Sequence, residues 1–551
     1  MNGEIRNSKF ESNSNIQIPN VQNVRSDPAL RGGFSHSSFE HSNLIRISNF
    51  EFRHSRGSAF IATTWIIAAL TGLTLVLAHT VRVETLASAN RLAQAQADAA
   101  ARGAEQFVLA AVDAEIEEPG SVTSLISGIN MEALTIGDER GGAYVWIIRP
   151  DPDDETEFSF GLADEAAKLD LNHATTAQLQ MLPNMTTQNA DCIFDWRNTD
   201  STQSPEGAKD STYLAADDGR PPYRCKSAPF ETVEELLLVY SVTPELLWGE
   251  DLTRSGHVDQ ADTSILAITP GGGGTTTSNR GIFPFVTVYG TKASTAPQSN
   301  TEEESNSSGG SNNSNVVNVN DTNTANLETL LNEQLGTRAP EILRITQERI
   351  SGSTAMPFSN IWEWAVTVNI TAADFSLIFS RVTVVTPQGF GFSMNVPQGS
   401  FSSDSPSPKI NVNSASQTVL MTIPSFEQTD ADAIISYRQN NPDPDDPSNI
   451  AWLLDVIPKP KLETAGYFIT GISYCYSADI LTCSRDGRAF NRTRIVVDAS
   501  GGFAKIIYRR DMTAFGWPLD PQIREDIRAG KPFQTTNGLN IMQDDGFGGM
   551  W

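Results

Sequence analysis

The longest uninterrupted apolar segment of the chain lies near its beginning. Residues 57–81 contain no Asp, Glu, Lys or Arg, and Arg56 and Arg82 bound the segment. As a helix with a rise of ~1.5 Å per residue, it would be roughly 37 Å long, which is enough to cross the ~30 Å hydrocarbon core of a bilayer. The pattern predicts a single membrane-spanning helix.

A second helical pattern, from Glu84 to Val112, continues the span without a helix breaker. Its small and apolar residues recur at spacings of three and four, and therefore share one face. These residues are Leu86, Ala89, Ala93, Ala97, Ala100, Ala104, Phe107 and Ala111. Small side chains allow a helix to pack closely on a sheet. A signalling coiled coil is the alternative, but the sequence lacks the sustained Leu or Ile at heptad positions that it requires.

Strand patterns occur in two groups far apart in the chain. Gly142–Arg149 and Glu157–Leu162 flank a Pro/Asp turn, and near the other end Tyr467–Tyr474, Thr493–Asp498 and Phe503–Arg509 alternate with turn residues. Such β-branched and aromatic segments bounded by turns predict strands. We expect them to form one small antiparallel sheet, into which the intervening chain is inserted.

The inserted segment contains a motif that occurs three times. Its copies begin at Lys168–Thr175, Val317–Thr322 and Lys409–Ser416. Each copy predicts a short strand, an Asn that caps the next helix, a tight hairpin and a second helix. The first two copies also end alike, in a helical segment and a closing strand. The repeat is typical of helix-hairpin-helix, or SAM-like, units.

The charge distribution before the span predicts its orientation. The first 57 residues contain seven basic and five acidic side chains, with Arg46, Arg53 and Arg56 nearest the span. This segment should therefore stay in the cytoplasm. A secretory signal would end in a small-x-small cleavage site after a short apolar core, and this sequence has none. The junction of Gly57 and Ser58 resembles the processing site of type IV prepilins, which implies cleavage there by a prepilin peptidase. An uncleaved signal anchor is the alternative.

Composition argues against several other functions. The whole chain has a net charge of −27, which disfavours nucleic-acid phosphates and suits divalent cations. The hairpins at 182–185 and 423–426 also lack Gly and clustered basic residues, so we predict no nucleic-acid partner. Of six histidines, only His173 and His257 lie beyond the leader and the membrane end, and no hydrolase, P-loop or dinucleotide motif occurs. We predict that the chain is not an enzyme.

The four cysteines form two local pairs, Cys192 with Cys225 and Cys475 with Cys483. Neither pair has C-x-x-C spacing. Outside the cytoplasm, two disulfides are the expected arrangement. Four free buried thiols are the alternative.

Four stretches together resemble the GspK family of type II secretion minor pseudopilins, also called general secretion pathway protein K. They are the Arg56-Gly57-Ser58 junction with its span, Gly161–Asn172, Trp196–Arg224 and Ala228–Leu236. The resemblance implies a pilin fold with a large helical insertion, located with two other minor pseudopilins at the tip of the pseudopilus.

The resemblance gives Ala62 a particular meaning. In pilins and most pseudopilins the fifth mature residue is Glu, whose carboxylate can neutralise the terminal ammonium of a neighbouring subunit in the apolar fibre core. Here that position is Ala62. A subunit with no neighbour above it has no ammonium to neutralise, so the substitution fits a tip position. The alternative is that Ala62 is apolar only because it lies in a membrane span.

The family also resembles a calcium-binding protein in its first helical unit. The candidate ligands in this chain are Asp200, Glu206, Asp210, Asp217 and Asp218, since oxygen ligands on a loop suit calcium. Two positions depart from the family pattern: Asn198 replaces Asp, and Lys209 replaces Glu. A solvated acidic loop without an ion is the alternative.

The predicted fold class is α+β: a long membrane-spanning helix packed on a small antiparallel pilin-like sheet, with inserted SAM-like units. The predicted domains are a cytoplasmic prepilin leader at 1–57, the transmembrane and pilin helix at 58–113, the first part of the sheet at 114–165, the first helical unit at 166–290, a Ser/Asn/Gly linker at 291–314, the second unit at 315–408, the third unit at 409–464, the rest of the sheet at 465–520 and a tail at 521–551.

The resemblance implies a single-pass protein of the inner membrane whose body lies in the periplasm. Its expected partners are the I- and J-type minor pseudopilins, the pseudopilus and the prepilin peptidase, with secreted substrates or the outer-membrane secretin as further candidates. After cleavage, methylation of the new N-terminus is expected. A minor pilin of a type IV pilus or DNA-uptake machine is the alternative function.

Overall fold

The computed structural model describes residues 58–116, 134–136, 142–153, 158–215, 221–256, 258, 262, 280–290, 316–351, 356–384, 409–441, 446, 448–531, 533–534 and 540–541. The predicted leader and the predicted linker at 291–314 lie outside these residues. The chain divides into two units, Met1–Val81 and Arg82–Trp551.

Helices and strands are mixed along the chain, as an α+β fold requires. The helices are α1 (Ser58–Ile116), α2 (Thr176–Gln180), α3 (Thr187–Arg197), α4 (Asp210–Leu214), α5 (Pro244–Trp248), α6 (Ala325–Leu335), α7 (Ala339–Ser351), α8 (Ile361–Thr367), α9 (Ala372–Ile378), α10 (Gln417–Leu420), α11 (Gln428–Asn440), α12 (Leu453–Val456), α13 (Lys459–Ala465) and α14 (Pro521–Ala529). The strands are β1 (Leu134–Ile136), β2 (Ala143–Pro150), β3 (Phe158–Phe160), β4 (Ala163–Asp164), β5 (Leu169–Asp170), β6 (Val286–Thr287), β7 (Val317–Asn318), β8 (Val382–Thr383), β9 (Ile410–Asn411), β10 (Ile469–Thr470), β11 (Cys475–Ser484), β12 (Phe490–Asp498), β13 (Lys505–Asp511), β14 (Phe533–Gln534) and β15 (Asn540–Ile541).

The main sheet is antiparallel and joins the two ends of the inserted segment. Its strand order is β1-β2-β11-β12-β13, with β3 on β2 and β4 on β11. The pairing of β2 with β11 places Trp146 opposite Leu481, although the two strands lie more than 300 residues apart in sequence. The prediction that distant strands complete one sheet is correct.

The second half of α1 packs on one face of this sheet. Ala100, Ala104, Val108 and Val112 form a core with sheet residues such as Val145 and Ile480. The predicted helix face is correct at Ala93, Ala97, Ala100 and Ala104, which are buried. It is wrong at Leu86 and Phe107, which are exposed, because the packed face continues through Val108 instead of Phe107.

The strand prediction for Tyr467–Tyr474 is wrong. Only Ile469–Thr470 is extended, and it pairs in parallel with β9 outside the main sheet. The central strand β11 starts at Cys475 instead, and all of its residues are buried. Both segments are rich in apolar and β-branched residues, so local composition does not distinguish them.

The segment predicted as a tail contains a helix, because 521–529 forms α14. Ile523 and Ile527 pack with Trp146 and Trp517 on the sheet face opposite α1. The Arg524 and Arg528 Nε atoms donate to the Gly487 carbonyl at 3.1 and 3.0 Å. This helix therefore covers the second face of the sheet.

Three helical units follow one another between β4 and β11 and share one large core. Each contains a helix pair, α2–α3, α6–α7 or α10–α11, and each is closed by a two-residue parallel strand pair, β5–β6, β7–β8 or β9–β10. The prediction of three repeated units agrees with this arrangement. The third unit also has a closing strand, at Ile469–Thr470, which the predicted boundary at residue 464 missed.

The repeated Asn does not cap a helix, contrary to the prediction. Instead, Asn172 accepts from Phe230 N at 2.7 Å and donates to Phe230 O at 3.1 Å. In the second unit, Asn320 makes both bonds to Phe358 at 2.8 Å. The side-chain amide therefore ties each unit's first strand to a later segment, because it offers a donor and an acceptor together.

Candidate functional site

The N-terminal half of α1 exposes an apolar surface along its whole length. In the part of the chain that the structure describes, one helix, Phe60–Ala114, is long and apolar enough to cross a membrane, with a mean hydropathy of 2.1 in its most apolar window. Phe60 and Trp65 are more than 70% exposed. Exposed apolar patches of this size indicate a membrane or partner surface. The helix fits a single-pass membrane anchor.

The threonine side chains of this segment are satisfied within the helix. Each Thr hydroxyl donates to a backbone carbonyl three or four residues earlier, at distances of 2.7–3.0 Å: Thr63, Thr64, Thr71, Thr74 and Thr80. Such bonds remove the need for water as a partner. The threonines are therefore compatible with a lipid environment.

The predicted cleavage junction lies at the beginning of this helix. Gly57 is outside the described residues, and α1 begins at Ser58. Ala62 lies in the first turns of the helix and is exposed. The position that carries a Glu in most pilins is thus on the apolar surface of α1.

The first helical unit is built on two short, well-capped helices. Thr175 and Gln178 form a capping box at the start of α2, and Thr186 and Asn189 form another at the start of α3. In both, a side-chain oxygen accepts a backbone N–H that the helix leaves free, and this fixes where the helix begins. The hairpin needs no glycine, because Asn184 adopts the left-handed conformation with φ of 57°.

An arginine fixes the end of α3 to the beginning of the same unit. The Arg197 guanidinium donates to the carbonyls of Leu171 and Ala174. Burial lowers the pKa of Arg197 to about 10, and the charge of Asp170 opposes that shift. The planar guanidinium can bond two carbonyls at once, so it joins strand β5, the first turn and helix α3.

The predicted calcium ligands are not brought together in the described part of the loop. Asp200 is fully exposed, and its pKa is lowered by bonds from the backbone N–H and hydroxyl of Thr202. Asp210 accepts from Cys225 N at 2.9 Å. Asp217 and Asp218 lie outside the described residues. Within the residues that the structure describes, no three His, Cys, Asp or Glu side chains are placed to hold a metal ion. Asp200, Glu206 and Asp210 therefore do not form a calcium site by themselves, and the site that includes Asp217 and Asp218 stays a prediction.

Lys209 occupies the centre of this loop instead. Its side chain is buried, and Nζ donates to the carbonyls of Asp195 and Asn198 at 2.7 and 2.8 Å. Asp195 is also buried, and burial raises the pKa of its carboxyl while bonds from Ser204 and the charge of Lys209 lower it. The loop thus contains a buried cation of its own.

All four cysteines are buried, and the structure forms no disulfide among them. The pairing of Cys475 with Cys483 is wrong, because both lie in strand β11. Eight residues of strand place their Cα atoms about 26 Å apart, far beyond the ~7 Å limit for a disulfide. Cys192 and Cys225 lie in the first unit, where burial raises the pKa of the Cys192 thiol to about 11. Their pairing stays a prediction.

The first unit is attached to the main sheet through buried charges. Arg492 of β12 is fully buried and donates to Asp479 of β11 at 2.9 and 2.6 Å, and also to the carbonyls of Thr253 and Arg254. Burial alone would raise the pKa of Asp479, but the charges of Arg492 and Arg494 reverse this and lower it. The loop after α5 is thereby held on the sheet.

The third unit is attached through a carboxylate of strand β4. Asp164 accepts from the Asn411 amide at 2.7 Å and from the Ser414 hydroxyl at 2.6 Å. Burial raises the pKa of Asp164, although bonds from Ser414, Ser473 and Asn411 lower it. Two residues at the start of the third repeat therefore bond directly to the sheet.

No sequence pattern indicated a role for Arg492 or Asp164, and Lys209 stood out only as a departure from a family pattern. The available signal for Arg492 was a pair of arginines, Arg492 and Arg494, two residues apart in a strand-like segment. Asp164 gave no comparable signal, because its partners lie about 250 residues away.

Comparison with known proteins locates the first helical unit in a family. A family model described as "Type II secretion system (T2SS), protein K" matches residues 161–248, which include β4, the α2–α3 pair and α5. No curated protein matches the chain. Among solved structures, the crystal structure of the GspK-GspI-GspJ complex from the type 2 secretion system of enterotoxigenic Escherichia coli is similar at 10% identity and a TM-score of 0.26. That match covers 74% of this chain and 96% of the other.

The family match agrees with the resemblance found in the residues. The matched segment contains three of the four stretches that carry the resemblance, and only the junction with its span lies outside it. Residues 161–248 of this chain are similar to the protein K family of type II secretion systems.

Proposed function

We propose that the chain is a minor pseudopilin that lies at the tip of the type II secretion pseudopilus and starts or caps its assembly. The similarity of residues 161–248 to the protein K family supports this most strongly, because the matched segment occurs in the same chain as an exposed apolar helix that fits a membrane anchor. The proposal gives the chain a role in protein export across the outer membrane.

Assembly would begin with cleavage between Gly57 and Ser58. A prepilin peptidase removes the cytoplasmic leader, the new N-terminus is methylated, and α1 stays in the inner membrane. The body lies in the periplasm and packs beside other subunits through the apolar surface of α1. Because Ala62 carries no carboxylate, it cannot neutralise a neighbour's terminal ammonium, which favours the end of the fibre.

The partners follow from this position. The solved complex named above contains GspI and GspJ, and we propose the corresponding I- and J-type minor pseudopilins as partners here. Secreted substrates and the outer-membrane secretin are further proposed contacts of the helical units. The predicted pilin-like character of the sheet and SAM-like character of the units belong to the same proposal.

N-terminal sequencing of the protein extracted from membranes tests the first step. We expect the mature chain to begin at Ser58, and Gly57→Leu to leave the leader attached because a bulky residue replaces the smallest one at the cut. Gly33→Leu, in the leader but away from the junction, is the matched control and should be processed normally. A mature chain that begins elsewhere, or an unprocessed wild type, would contradict the proposal.

Immunogold labelling of sheared fibres tests the tip position. We expect gold at one end of each fibre, and labelling along the length would contradict the tip proposal while leaving the pilin class intact. Deletion should abolish protein export. Loss of DNA uptake or of surface pili with normal export would favour the alternative, a minor pilin of a type IV system.

A further inference from the structure

We infer that the Lys209 ammonium takes the place of a metal ion in the first helical unit, so that the loop after α3 is held without calcium. Lys209 is only 8% exposed. Its ammonium donates to two backbone carbonyls, Asp195 O at 2.7 Å and Asn198 O at 2.8 Å. A buried lysine is costly unless its charge is well paired, so this arrangement needs a reason.

The two carbonyls belong to the C-terminal end of a helix. Helix α3 ends at Arg197, and Asn198 is its C-cap. The last carbonyls of a helix lack intrahelical partners and carry the negative end of the helix dipole. Carbonyl oxygens in this situation bind hard cations such as calcium. Here an ammonium group bonds both of them.

Acidic side chains of helix α3 add negative charge near this loop. Asp195 is fully buried, and its carboxylate accepts from the Ser204 N–H and hydroxyl at 3.0 and 2.8 Å. Asp191 accepts from Glu206 N at 3.1 Å. Asp195 and Asp191 lie on the helix α3 and turn towards the loop, so the loop folds over acidic groups that require a counter-charge.

The loop backbone lies closely against helix α3 near Lys209. A Cβ atom placed on Gly207 would overlap the Asp195 carboxylate, so the backbone lies directly against that group. Gln203 Nε2 donates to Gly207 O at 2.7 Å and closes the turn. A calcium ion at the same carbonyls would also meet the positive charge of Lys209 at close range.

Thermal unfolding of the full chain in detergent tests this inference, with EGTA or with calcium chloride alone. We expect the wild-type melting temperature to be the same in both conditions. Lys209→Met removes the charge but keeps much of the side-chain volume. We expect it to lower the melting temperature of the protein by about 2–4 °C in both conditions. Lys209→Glu places a carboxylate beside the two carbonyls, and we expect it to lower the melting temperature in EGTA. Calcium chloride should restore much of that decrease.

Lys226→Met is the matched control, because Lys226 lies in the same unit and pairs with Glu235 at 2.8 Å but does not touch the loop carbonyls. Lys226→Met should lower the melting temperature less than Lys209→Met does, and the decrease should be the same in EGTA and in calcium chloride. Calcium stabilisation of the wild type, an unchanged melting temperature in Lys209→Met, or a Lys209→Glu variant that ignores calcium would each overturn the inference. If Lys209→Glu does not fold, the wild type and Lys209→Met still decide it. None of these results bears on the proposed tip position, which cleavage and fibre labelling test separately.

Discussion

The first and third helical units are built alike inside. In the first unit, Arg197 donates to the carbonyls 26 and 23 residues before it, those of Leu171 and Ala174. In the third unit, Arg438 donates to the carbonyls at the same two separations, those of Val412 and Ala415, at 3.1 and 2.8 Å. The arginine and the short strand that precedes the helix pair therefore act as one repeated element.

The two units differ in how they are attached to the main sheet. The first receives bonds from donors on the sheet: Arg492 and Arg494 of strand β12 and Arg510 of strand β13. The third donates its bonds to Asp164, an acceptor on strand β4, and Arg438 adds an ion pair with Asp153 at 2.6 Å. The repeat therefore determines the internal fold of each unit, while the local sheet strand determines its attachment.

Replacing Arg492 should have the largest effect and should separate the two attachments. Arg492→Met removes the side chain that donates to the Thr253 carbonyl, and this carbonyl is left unpaired. Asp479 loses one of its two guanidinium partners and keeps the other, Arg494. Since breaking a buried ion pair costs about 3–5 kcal/mol, we expect a loss near the low end, about 3 kcal/mol. Hydrogen exchange should accelerate within 161–256 and stay unchanged within 409–470.

Arg488→Met is the control for this variant. Arg488 lies in the turn between β11 and β12 and pairs with Asp486 at 3.1 Å, but both side chains are more than 40% exposed. An exposed pair contributes about 0–1 kcal/mol, so the control should leave exchange in both regions unchanged. If Arg492→Met opened both units equally, their attachments would not be independent.

Replacing the two repeated arginines tests the shared interior. Arg197→Met and Arg438→Met each remove a charged donor from two carbonyls, and we expect each to cost about 2 kcal/mol, since a hydrogen bond to a charged group is worth about 1.5–3 kcal/mol. Lysine should not restore stability, because one ammonium lacks the planar fork of the guanidinium. The measurement is hydrogen exchange within the mutated unit, with the other unit as internal control.

If hydrogen exchange accelerated strongly after one arginine substitution and not after the other, the matching contacts would not stabilise the two units in the same way. Equal responses would support the repeat as a structural unit.

The sequence predicted the features that depend on local pattern. The apolar span, the unbroken α1 and the three repeated units each follow from residue spacing over tens of residues. The protein K resemblance depends on such local stretches as well, and the family match within 161–248 agrees with it.

The sequence did not predict features that depend on distant partners. Strand β11 was missed because the neighbouring segment at 467–474 has a similar composition, and only pairing with β2 and β12 selects Cys475–Ser484. The predicted calcium ligands were chosen by charge, but the position of Lys209 at the end of α3 depends on how the loop folds back. The predicted Cys475–Cys483 disulfide is wrong because both residues lie in one extended strand. Residues that are near in sequence are far apart in space when the chain between them is extended.

Replacing Asp153 should have the smallest effect and should affect one unit alone. Asp153 is about a third exposed while its partner Arg438 is buried, so solvent screens the pair and we expect Asp153→Asn to cost about 0.5 kcal/mol. A double-mutant cycle with Arg438→Met should give a coupling energy of that size, which decreases at high salt. The same cycle with Arg197→Met should give no coupling, because Arg197 donates to carbonyls of its own unit. Coupling between Asp153 and Arg197 would mean that the first unit also senses the ion pair of the third, and the attachments would then have to be treated as one network.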